Sequence, residues 1–166
     1  MAETLGGLGI TSIIRAGKGA LTLDDIVIRR TNAATLFPSC LCSENGETFP
    51  DIDLLANAEL SMLGVVLGEV RPAETYDIDA TISNNVFVYV LLPTMKTIIA
   101  VLYETAAVNV LKGDHVGVST VDAGFWGKIT YTDAAAATDT MMGSFGRSVS
   151  AVTGHASNQK VMLVRY

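Results

Sequence analysis

The sequence predicts a mainly β protein, a small barrel or sandwich with one short helix and an extended N-terminal arm. Three observations predict it. Clusters of Gly, Pro, Asn, Asp and Ser punctuate the chain about every eight to twelve residues, the spacing of short strands in sandwiches and barrels. The apolar runs are short and rich in β-branched residues; the longest, 86–92 and 98–103, are separated by Pro93 and Lys96. Residues 1–19 differ from the rest, with Gly6, Gly7, Gly9, Gly17 and Gly19 surrounding Leu5, Leu8, Ile10, Ile13 and Ile14. Glycine at that density disfavours a helix, while the apolar residues are costly to leave in water. An arm over 1–19 that packs on something meets both conditions, ahead of a single β-rich domain over 20–166.

The elements follow in order. Residues 26–31 form a β-branched run, and Asn45-Gly46 is a strong turn signal. Residues 51–60 are expected to form the short helix, capped by Asp51 or Asp53, with Leu54, Leu55, Ala58 and Leu60 as its apolar stripe. Residues 62–70 read as a buried strand in which glycines mark bends or close backbone approach. Strands are then expected at 76–82, 86–92, 97–104, 115–121, 125–132, 143–152 and 161–166. Within 86–92 the two-residue period puts Val86, Val88, Val90 and Leu92 on one face and Phe87, Tyr89 and Leu91 on the other. Both faces are apolar, so this strand lies inside a two-layer core or between the core and a subunit interface.

Composition narrows the function classes. With 17% charged residues and about half apolar, 166 residues can bury a sizeable core without metal or disulfides. No apolar run approaches the roughly 20 residues that span a bilayer as a helix, and the N-terminus lacks the pattern of a signal peptide; the expectation is a chain that is cytosolic or assembled in a cytosol, without a membrane partner. A net charge of −6 with scattered basic residues argues against nucleic acid. Cys40 and Cys42 are too close for an unstrained bridge and lack the further ligands of a zinc site, so they read as buried thiols.

The chain carries no recognisable catalytic set. The glycines of Gly17-Lys18 and Gly127-Lys128 lack the partner glycine and the Ser or Thr of a phosphate loop. His115 and His155 are the only histidines, at a strand start and in a turn, with no nucleophile–base pattern around them. The pairs Asp24-Asp25, Asp51/Asp53 and Asp77/Asp79 match no calcium loop. The expectation is a protein without enzymatic activity, metal or cofactor that binds other protein subunits, through Leu5, Leu8, Ile10, Ile13 and Ile14 of the arm and through Tyr89. The alternative is a small-ligand-binding barrel with a pocket lined by residues such as Phe87, Tyr89, Trp126 and Tyr131.

The C-terminal half runs Lys112-Gly-Asp-His-Val116, then Gly124 and Gly127-Lys-Ile-Thr, then Gly143-Ser-Phe-Gly-Arg-Ser-Val-Ser-Ala-Val, and ends in Val-Met-Leu-Val-Arg. In that order it resembles the small β-rich head-decoration (cement) proteins of tailed viruses, in which a Gly-Asp turn and a closing strand line a small barrel. The Gly-rich arm ahead of 21–28 is similar in plan. The strand pair at 86–103, the Cys40–Cys42 segment and the long middle portion depart from that pattern. The resemblance implies a structural protein that self-associates as a homotrimer and binds the major capsid protein. Its place would be the virion's capsid exterior, after assembly in the host cytoplasm.

Overall fold

The computed structural model describes residues 13–15, 23–32, 35–45, 49–56, 61–70, 81–94, 97–105, 108–129, 144–153 and 160–166. Among them the chain is built of strands: β1 (Ile13–Arg15), β2 (Ile26–Thr31), β3 (Leu41–Glu44), β4 (Asp51–Leu54), β5 (Gly64–Glu69), β6 (Phe87–Leu91), β7 (Ile98–Tyr103), β8 (His115–Val118), β9 (Trp126–Lys128), β10 (Ser144–Ser148) and β11 (Lys160–Arg165). They form two sheets. In the first, β2-β4-β3-β5-β6 closes into a barrel. The second runs β1-β7-β11-β10-β8-β9, and a parallel pairing of Tyr103 with Trp126 brings β9 back to β7. Five of its strands therefore complete a ring as well, with β1 extending the other end of β7 through Ile13 opposite Ile99.

Alternation fills the first barrel. Val27, Cys42, Ile52, Val66, Val88 and Val90 belong to one apolar cluster with Leu36, Phe37, Cys40 and Ile82. Leu102 of β7 and Phe125, just ahead of β9, join that cluster, the Phe125 ring lying 4.7 Å from that of Phe37. The second cluster takes Ile99, Val101, Tyr103, Val116, Val118, Trp126, Met162 and Val164 from the second sheet, and Leu41, Val65 and Leu91 from the first. Each fully buried side chain of this kind contributes about 1.5–3 kcal/mol. Directional bonds tie the sheets together: Leu41 N–H donates to the Gly124 carbonyl (2.8 Å), Gly124 N–H to that of Leu55 (2.9 Å), and Trp126 Nε1 to that of Ser39 (3.2 Å).

The short helix expected over 51–60 is not there. Asp51–Leu54 is strand β4, Leu55 and Ala56 continue without helical structure, and 57–60 lie outside the described residues. Among the described residues the only helical element is the single 3-10 turn Leu23–Asp25, and there is no α-helix. Non-local pairing overrode the local capping signal: β4 runs parallel to β2 and antiparallel to β3, satisfying its backbone on both sides. Its alternation is that of a strand, with Ile52 and Leu54 in the first cluster and Asp51 and Asp53 on the opposite face.

The glycines at 64–68 have the expected roles. Between Val66 and Gly68 the register against β6 slips by one residue, a β-bulge, and Gly68 has φ of 140°, a region side-chain-bearing residues avoid.

Candidate interaction surface

The outer face of the first barrel over β2, β6 and β5 is assembled from three cross-strand rows. Ile26, Leu91 and Val65 stand opposite one another in the first. Ile28, Tyr89 and Gly68 form the second, and Arg30 and Phe87 the third. Val70 extends this last row, its N–H donating to the Phe87 carbonyl at 2.8 Å. Burial falls away across the rows. Leu91 and Val65 are fully buried in the second cluster, and Tyr89 packs against that cluster while only partly covered. Phe87 is 52% exposed, Ile28 50% and Val70 36%. An apolar face thus continues outward from the core into solvent, and Gly68 beside Tyr89 presents no side chain to cover it.

One side of this face is closed by charge. Arg30 pairs in register with Asp51 of β4 and grips it with two bonds, Nε to Oδ1 at 2.5 Å and a terminal nitrogen to Oδ2 at 2.9 Å. These bonds hold the Asp51 carboxyl below the usual carboxylate range. Asp53 accepts from Asn32 Nδ2 (3.0 Å) and Asn45 Nδ2 (2.9 Å), so this acidic pair is engaged by protein donors.

The other chemically suggestive residues have structural surroundings. Cys40 and Cys42 are free and fully buried; burial raises the Cys40 thiol to about 12 and that of Cys42 well above its ordinary value. Gly127 lies in β9, where a Cβ would stand 2.6 Å from Glu104 Oε2 and 3.0 Å from Ser119 Cα. The glycine there serves close packing over a buried carboxylate, which also accepts from the Ser119 hydroxyl. His115 opens β8. Among the described residues no group of three or more His, Cys, Asp and Glu side chains comes together to hold a metal ion.

Of the residues expected to bind partners, Tyr89 sits on the apolar face. Ile13 and Ile14 lie in β1 beside β7, and Leu5, Leu8 and Ile10 lie outside the described residues, as do His155, Asp77, Asp79 and Tyr131. Phe87 and Tyr89 share the face, whereas Trp126 is fully buried in the second cluster, its ring edge-on to Tyr166 at 5.7 Å. Sequence reasoning had not singled out Ile28 and Val70. Their signal is weak, because each stands at the end of an apolar run beside charged residues, and the sequence does not show which side of the strand is left uncovered.

Comparison of the chain with known protein-family models finds no match, and comparison with characterised proteins finds no similar sequence.

Proposed function

We propose that this protein is a non-catalytic structural subunit that associates with copies of itself through the apolar face of Ile28, Phe87, Tyr89 and Val70. The exposure of that face carries the proposal: contiguous large apolar side chains, rimmed by the Arg30–Asp51 pair and continuous with the core, are costly in water and mark subunit interfaces. Closed symmetry suits a barrel whose strands already leave few free edges. The resemblance of the Lys112-Gly113-Asp114 turn and the segments after it to head-decoration proteins supports a capsid setting. The oligomer would then cement the exterior of a viral shell, with the major capsid protein as partner and the N-terminal segment as the contact.

The shell contact is tested by co-sedimentation with capsids lacking the decoration. Residues 1–12 are the ones to delete, since β1 pairs with β7. Deletion is expected to abolish co-sedimentation and to shift the melting temperature by no more than about 2–4 °C, the equivalent of roughly 1 kcal/mol. Undiminished co-sedimentation would remove the arm from the contact; failure of the full chain to sediment would remove the shell.

A further inference from the structure

The second sheet carries a charge arrangement of the opposite kind. In the β10–β11 ladder Arg147 stands directly opposite Arg165, and like charges facing each other across a sheet repel. Both side chains are exposed, on the face opposite buried Ser148 and Val164. A third cation, Lys112, is brought beside them by the turn before β8, where Gly113 N–H donates to the Ser148 carbonyl at 2.8 Å. Lys112, Gly113, Arg147, Ser148, Val149 and Arg165 line one cavity of about 200 Å³.

Nothing among the described residues neutralises this cluster. No described carboxylate forms an ion pair with Lys112, Arg147 or Arg165. Asp114, next to the turn, is turned to other donors: its Oδ2 accepts from Leu111 N–H at 2.8 Å and lies 2.7 Å from Lys128 Nζ. Arg147 spends one N–H on the Gly113 carbonyl at 3.2 Å, which holds its guanidinium over the turn. His115 continues the row on the far side of Arg147. In a chain of net charge −6, cations from three separate segments converge on one concave site.

We propose that this cavity binds an oxyanion, clamped between the guanidinium groups of Arg147 and Arg165 with the Lys112 ammonium as third contact. An oxyanion converts the cross-strand repulsion into two charge-assisted bridges, and planar guanidinium forks match its geometry. The chemistry is shared by free phosphate and by carboxylates of an acidic segment on a neighbouring subunit.

Thermal melting of the full chain separates these sources, with chloride, inorganic phosphate and glutarate compared at equal ionic strength. The expected result is a melting temperature that rises with phosphate or glutarate beyond chloride. A rise with phosphate alone assigns a tetrahedral anion, and one with glutarate assigns carboxylates. Arg165→Gln, at an exposed position, should melt up to about 2–4 °C higher in chloride because the repulsion is gone. It should also weaken the anion response at least about tenfold. Lys112→Gln, on the turn, should weaken that response without the gain in chloride. Equal melting in all three salts overturns the site, and so does an anion response that survives both substitutions.

Discussion

At the scale of single residues, polar groups in this protein are spent on holding strands in place. Arg30 and Asp51 are cross-strand neighbours whose bidentate bond fixes β4 beside β2 and closes one side of the apolar face. Because the folded carboxyl titrates below its unfolded value of about 3.9, the pair's contribution to stability is complete above that value. It is lost as pH falls through the lower folded value. Asp51→Asn should therefore melt below the parent protein at pH 7, and the gap should close on acidification through the range below about 4. A gap independent of pH would mean that the carboxylate's charge is not what stabilises. The buried state of Cys40 and Cys42 was readable from their spacing and from the lack of ligand partners. The bond between Arg30 and Asp51 was not, since nothing local connects those two residues.

At the scale of elements, legibility follows the range of the interactions that decide each one. The strands Ile26–Thr31, Gly64–Glu69, Phe87–Leu91 and Ile98–Tyr103 announce themselves through β-branched runs bounded by turn residues. Segment 51–54 carries two signals at once, a helix cap at Asp51 and the alternation Asp-Ile-Asp-Leu; contacts with β2 and β3 chose the strand. Gly127 shows the same dependence on distant partners, for only the fold reveals Glu104 and Ser119 pressed against its α-carbon. Gly127→Ala should cost about 1–3 kcal/mol in overpacking, read as a lower denaturant midpoint at unchanged slope. An unchanged midpoint would show that β9 can move away from the buried carboxylate. In β6 the two faces divide the work: Val88 and Val90 fill the first barrel, while Leu91 and Tyr89 meet the second cluster and Phe87 is left outside. Val88→Asp should unfold the chain, since an unpaired buried charge costs several kcal/mol against a total of about 5–15.

At the scale of the whole molecule, two strand rings share apolar contacts, and their outer surfaces differ in kind. A barrel or sandwich was expected from the sequence, but which strands close the ring was not legible, because closure depends on pairings as distant as Ile26 with Leu91 and Tyr103 with Trp126. The exposed face became visible only once those rings set which side of β6 looks outward. Phe87 is the most informative position on it. Tyr89 also packs on the core, so its loss would disturb folding and association together, whereas Phe87 is more than half exposed. The central claim, that this face joins subunits, is tested most directly by the solution mass of the parent protein and of Phe87→Asp, measured by light scattering across a concentration series. The prediction is a parent mass that is a whole multiple of one chain, and a Phe87→Asp variant at the mass of one chain with an unchanged melting profile at low concentration. A parent protein that stays at one chain's mass at every concentration, or a variant that keeps the full multiple, would contradict it.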